Sequence, residues 1–133
     1  MRTKTFAKRI AEFSLTKKAS DVIIMDVRGV TDVADYFVVC SADSDTQVKA
    51  IADAIVDGTE SLGEPPWHSE GIGHKQWIVL DYVDVVVHVF LDEVRKFYAL
   101  EKLWGDAVVE TIIDKPKRKR VTKKKKEEEV TEE

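Results

Sequence analysis

Between Trp77 and Phe90 apolar and polar positions alternate in two runs, the pattern of two β-strands joined by a tight turn. With Val83 and Asp84 as the turn, Tyr82 stands opposite Val85, Asp81 opposite Val86 and Trp77 opposite Phe90. Successive side chains point to opposite faces, so Ile78, Leu80, Tyr82, Val85, Val87 and Val89 share one face and read as core. The other face carries Trp77, Val79, Asp81, Val86, His88 and Phe90. Two aromatics beside an acid and a histidine are not an ordinary core face. If exposed, such a face is suited to gripping a partner.

The same patterning organises the rest of the chain. Phe6, Ala7, Ile10, Ala11 and Phe13 predict a short amphipathic helix over 3–16, and DVIIMDV (21–27) and YFVVC (36–40) predict strands on either side of a connection marked by Gly29. Ser44 with Gln47 fits a capping box, and Val48, Ile51, Ala52, Ile55, Val56 and Leu62 form one helical stripe that Gly63, Pro65 and Pro66 bring to an end. Trp67–Glu70 fits a short edge strand, because Pro66 has no amide to offer a central ladder. A last helix is predicted from about Asp92 to Trp104, with Gly105 as its stop. The order α-β-β-α-β-β-β-α predicts a mixed α/β layer, a sheet of about five strands flanked by helices.

Composition changes this picture only at the end. Residues 1–113 are expected to form one domain, and 114–133, with two isolated valines and nothing to bury, a disordered charged tail. The net charge of −4 conceals a split: residues 1–114 hold 12 Lys or Arg against 20 Asp or Glu, residues 115–133 hold 9 against 5. An acidic body repels nucleic-acid phosphates and suits a basic protein partner. Direct RNA contact is left to the basic tail, where a solubilising role is the plainer reading. No apolar run is long enough for a membrane span, and no secretory h-region follows the basic N-terminus. The single cysteine, Cys40, sits in an apolar strand as a small hydrophobe, which fits the cytoplasm.

Candidate chemistry is sparse. His68, His74 and His88 show no metal-ligand spacing, and Asp43 and Asp45 flank Ser44 at a helix start, where the helix dipole already favours carboxylates. Gly71-Ile72-Gly73 lacks a third glycine and an adjoining helix, so it makes no nucleotide loop. Ser41, His88 and Asp81 could be imagined as a hydrolytic set, but no activated nucleophile stands beside them. No cofactor and no metal site is expected, and the expectation is a protein that is not an enzyme. In the last helix Val94, Phe97, Leu100 or Glu101, and Trp104 lie at helical spacing and read as core, while Tyr98 and Leu103 fall toward another face, where an exposed aromatic beside Arg95 and Lys96 would suit a protein interface.

Several segments together resemble one known family. ADYFVVCS (34–41), SDTQV (44–48), Glu70-Gly71, WIVLDY (77–82), DVVVHVF (84–90) and the E-x-R-x-F-Y-x-L-E-x-L-W run starting at Glu93 resemble the ribosomal silencing factor (Iojap-like) family over residues 5–107. The resemblance implies a small fold similar to nucleotidyltransferases without their active site, since the glycine-serine loop and paired aspartates are missing. It also implies binding to the large ribosomal subunit through its ribosomal protein number fourteen. That contact would block subunit joining and repress translation under nutrient limitation, and free members would be homodimers. The partner-binding residues expected are Trp77 and Phe90 as packing anchors, Asp81 as acceptor for a partner Arg or Lys, and His88, with Tyr98 and Leu100 extending the patch. His88 is expected to hydrogen-bond in either protonation state. A metal-dependent nucleotidyltransferase using Asp81 and Asp84, and a purely structural dimerisation module, are the competing readings. Two departures stand out. Relatives usually carry Gly where Val83 sits, so the hairpin turn is expected to widen and its register to slip; and Ala42-Asp43 replaces a Gly-Asn before the helix cap.

Overall fold

The structure is a computed structural model that describes residues 2–98 and 108–112, with side chains as far as Arg95 and again from Val108. The chain runs α1 (Thr3–Leu15), β1 (Ser20–Asp26), β2 (Tyr36–Ala42), α2 (Asp45–Ser61), β3 (His68–Glu70), β4 (Trp77–Asp81), β5 (Val85–Leu91), α3 (Asp92–Tyr98) and β6 (Val108–Ile112). One mixed sheet holds the strands in the order β3-β4-β5-β2-β1-β6. Its central pair, β2 with β5, is parallel, and the remaining neighbours are antiparallel. β6 is a sixth strand that the alternation did not predict; it pairs with β1, Val22 opposite Ile112 and Asp26 opposite Val108. The stop at Gly105 and the tail from 114 lie outside the described residues.

The two long helices form because each presents one apolar stripe to the sheet. α1 buries Phe6, Ala7, Ile10 and Ala11, and α2 buries Val48, Ile51, Ala52 and Ile55. They lie on the face that carries Val22, Ile24, Val38, Cys40, Ile78, Leu80, Val87 and Val89, and together these make the main core. α2 starts as its capping box implies, with Ser44 Oγ accepting from the Gln47 amide at 3.2 Å. The Gln47 side chain departs from the usual reciprocal bond: its Oε1 accepts from the Asp43 amide at 2.8 Å, and its Nε2 donates to the Lys17 and Lys18 carbonyls. The cap thereby also ties α2 to the end of α1. Gly63 ends α2 at φ +78°, and the amides of Gly63 and Glu64 return to the Glu60 and Thr59 carbonyls.

The opposite face is a second core. Ile23, Met25, Val27, Ala34, Phe37, Val39, Val86 and Phe90 cluster there, with Trp77, Val79 and Val94 of α3 packed against them. Arg95, expected on the surface, is buried at 7 % exposure. Its Nη1 donates to the Asp21 carbonyl at 2.6 Å and to Ser41 Oγ at 2.8 Å. Asp21 lies where the β1–β2 register shifts, at φ +50°. The guanidinium therefore joins α3 to a bulge in β1 and to the end of β2.

Candidate functional site

The hairpin keeps the register that its alternation implies. Trp77 pairs with Phe90, Asp81 with Val86, and the Tyr82 amide donates to the Val85 carbonyl at 2.8 Å. The expected slip at Val83 does not occur. Val83 itself adopts φ +73°, the Asp84 amide donates to the Tyr82 carbonyl at 2.9 Å, and Asp81 Oδ1 accepts the Val83 amide at 2.8 Å. An i→i+2 bond around a residue at that φ is a γ-turn, which is tight and strained. The turn stays narrow because Asp81 and the flanking ladder hold it there.

The face that alternation marked as unusual divides into a buried half and an open half. Phe90 is fully buried and His88 is only 9 % exposed, so neither presents itself as a free contact anchor, contrary to expectation. The reason is that both lie on β5, one strand in from β4, where the second core forms around them. Trp77, Val79 and Asp81 on β4 remain half-buried, and His68 and Glu70 on the edge strand beyond them are exposed. The register puts His68 beside Asp81 and Glu70 beside Val79 on that same face, with His68 Nε2 and Glu70 Oε2 3.1 Å apart. The side chain of Tyr98, and Leu100, lie outside the described residues.

The buried half positions the open half. Trp77 stacks on Phe90 with ring centroids 4.8 Å apart at 30°, and its indole N–H donates to His88 Nδ1 at 3.1 Å. Since an indole N–H can only donate, Nδ1 is the acceptor and the imidazole proton is on Nε2. Nε2 is buried with no hydrogen-bond partner, in a ring that packs edge-to-face with Phe37 at 5.1 Å. Burial pushes the His88 pKa down to about 4, so the ring is neutral near pH 7, not poised to bond in either state. Gly71 fixes the other end of Trp77. At φ +84° its α-carbon passes so close to the Trp77 carbonyl that a β-carbon would collide with that oxygen.

The residues that could suggest catalysis are engaged separately. Ser41 is fully buried and accepts from Arg95, His88 Nδ1 accepts from Trp77, and Asp81 Oδ1 caps the Val83 amide. Among the described residues no three His, Cys, Asp or Glu side chains converge as a metal site. Burial raises the Cys40 thiol to about 12, the opposite of what a nucleophile needs. No described helix is long and apolar enough to cross a membrane. The open half of the face thus sets an indole and an aliphatic side chain beside a carboxylate, on the edge half of the sheet. Alternation in the hairpin already places Val79 with Trp77 and Asp81 on this face; His68 and Glu70, which the register adds to it, are signalled only by the i,i+2 spacing of the edge strand.

Comparison with known proteins bears on what is recognised. The family model described as ribosomal silencing factor during starvation matches residues 1–133. The chain is 43% identical over 107 residues to the ribosomal silencing factor RsfS of Bacillus subtilis, covering 80% of this chain and 91% of that one. It is 31% identical over 91 residues to the mitochondrial assembly of ribosomal large subunit protein 1 of Mus musculus, covering 66% of this chain and 40% of that one. A crystal structure of a Chromobacterium violaceum protein superposes with a TM-score of 0.77 at 34% identity, over 79% of this chain and 88% of the other. The same mixed sheet, the match along the whole chain and the identity to a named silencing factor agree, and the chain belongs to the ribosomal silencing factor family.

Proposed function

We propose that this protein represses translation under nutrient limitation by binding the large ribosomal subunit and blocking its association with the small one. The contact is made to a basic ribosomal protein, the large subunit's number fourteen, and the protein acts in the cytoplasm by occupancy, without turnover. When free it is a homodimer. The observation that carries this reading is the open strip of β4, where Trp77 is held by Phe90 and His88 and the residue as a whole is only half-buried. An anchor fixed before binding loses little freedom on binding, which is how a single aromatic becomes a hot spot. Asp81 supplies the complementary charge for an Arg or Lys of the partner. The name of the mouse relative, which refers to the large ribosomal subunit, supports the same partner.

Sedimentation of the purified chain with large subunits through sucrose gradients tests the reading. Trp77→Ala is expected to weaken binding by about 2 kcal/mol or more, roughly thirtyfold. Asp81→Asn keeps an oxygen for the Val83 amide and removes only the charge, so its loss of binding reports electrostatics and not turn structure. Wild-type sedimentation by Asp81→Asn removes the charge from the site. A Trp77→Ala chain that melts lower yet sediments normally makes Trp77 a core residue only.

A further inference from the structure

At the end of the sheet opposite Trp77, and apart from Val108 on the outer strand β6, Val33 at 70 %, Trp67 at 78 % and Val83 at 55 % stay exposed. Backbone hydrogen bonds set their segments side by side. The Trp67 amide donates to the Asp81 carbonyl at 2.7 Å, and the Asp84 carbonyl accepts from the amides of Asp35 at 2.8 Å and Tyr36 at 3.1 Å. Asp32, Glu64 and Asp84 are exposed along this ribbon. No lysine or arginine occurs in residues 30–35, 64–67 or 81–84. The nearby Arg28 is already committed to Asp26 at 2.7 Å. Glu64 and Asp84 also flank a cavity of about 100 Å³ whose other walls are Thr3, Phe6, Tyr82 and Val85. Phe6 and Tyr82 meet there edge to face at 5.3 Å. A hydrocarbon stem lying against these two aromatic walls, with its tip beside two carboxylates, describes a lysine or arginine side chain. Val83 adds that a strained residue with half its surface in water does little for the fold.

We propose that this end of the sheet is a second docking surface, taken by a lysine- or arginine-rich protein segment that also carries apolar residues. One basic side chain of that segment enters the Phe6–Tyr82 cavity, and its apolar residues cover Val33, Trp67 and Val83. Charge selects the occupant: carboxylates repel RNA phosphates and attract a basic polypeptide. The proposal rests on the ribosome-binding reading only for which assembly supplies the segment.

The test compares the full chain with two variants, Val33→Ser/Trp67→Ser/Val83→Gly and Glu64→Gln/Asp84→Asn. All five positions are exposed, so melting temperatures serve as the folding control. Each variant is expected to sediment with purified large subunits at least about tenfold more weakly than wild type. Binding by both within about twofold of wild type overturns the proposal. If the wild-type chain does not sediment at all, the ribosome reading fails, and a second arm decides for this surface alone. A synthetic lysine- and valine-rich peptide is titrated into the isotope-labelled full chain. Amide shifts confined to residues 3–6, 32–35, 64–67 and 81–85, and lost in both variants, uphold the surface. Shifts elsewhere, no shifts, or stronger binding here of a ribosomal RNA fragment overturn it. So does a wild-type spectrum in which the chain's own residues 115–126 already contact this end.

Discussion

Replacing Val83 with glycine should stabilise the protein, although it deletes a side chain and adds a flexible residue. Val83 is held at φ +73°, where a β-branched side chain crowds its own backbone. The strain of such a conformation is about 1–3 kcal/mol, and the branch at Cβ places valine in the upper part of that range. Against this, glycine gives the unfolded chain extra freedom worth roughly 0.5–1 kcal/mol. Val83 is 55 % exposed, so less than half of a valine's burial energy, roughly 0.7 kcal/mol, is lost with it. The balance is a gain of about 1 kcal/mol, or a rise in Tm of about 3–5 °C for a chain of this size. Urea titration of wild type and Val83→Gly should show a higher midpoint at unchanged slope. Val83→Ala is the control, because alanine keeps the β-carbon that positive φ disfavours; it should stay within about 0.5 kcal/mol of wild type. Equal gains from Gly and Ala, or a less stable Gly variant, would refute the strain argument. At the docking surface proposed above the same substitution should weaken binding, so stability and affinity are expected to move in opposite directions.

Two further outcomes follow from the buried polar side chains. The folded pKa of His88 is about 4 against an ordinary 6.5, so the unfolded chain binds the extra proton first. This part of the stability is therefore complete above about pH 6.5 and is lost as pH falls towards 4; between pH 7.5 and 4.5 it amounts to about 2 kcal/mol. Denaturation across that range should show His88→Phe losing correspondingly less stability than wild type, and parallel losses would contradict the assignment. Protonation would also put a hydrogen on Nδ1, which now accepts from Trp77, so tryptophan fluorescence should change over the same window. Arg95→Met keeps the bulk but abandons the Asp21 carbonyl and Ser41 Oγ, and should cost about 2–4 kcal/mol. Arg95→Lys should recover only part of this, because an ammonium does not reproduce a planar fork. A guanidinium titration placing Arg95→Met within about 0.5 kcal/mol of wild type would count against the bridging role.

Much of the fold was legible because its strongest signals are local. The hairpin register follows from alternation within 14 residues, and the start of α2 follows from Ser44 and Gln47. What was missed depends on partners distant along the chain. β6 is five residues, Val-Val-Glu-Thr-Ile, with no hairpin turn to announce it, and its partner strand ends at Asp26. The depth of His88 and Phe90 is decided by β2, whose Val39 and Ser41 stand beside them, and not by anything in the hairpin. Arg95 read as a surface residue because arginine is rarely buried unless paired. Its acceptors lie on β1 and β2, 74 and 54 residues earlier. The turn at Val83 departs from expectation for a different reason: the ladder that fixes both of its sides outweighs the reluctance of valine to take positive φ. Alternation places Trp77 and Asp81 on one face of the hairpin, but which residues of that face meet solvent and which stand behind them could not be read from it.

The place of β6 has a consequence for how the protein comes into being. β1 is made some 80 residues before the strand that closes one of its two edges, residues 108–112. Until then the row from Val22 to Met25, nearly all of it buried in the finished molecule, has an open hydrogen-bonding edge. An apolar strand with an open edge is a template for pairing with other chains. A chain interrupted before Val108 would thus keep both long helices and the central parallel pair, and still carry an adhesive margin. In this architecture the closing strand does more for solubility during biogenesis than its five residues do for the mature core. Premature termination should show itself as aggregation before it shows itself as unfolding.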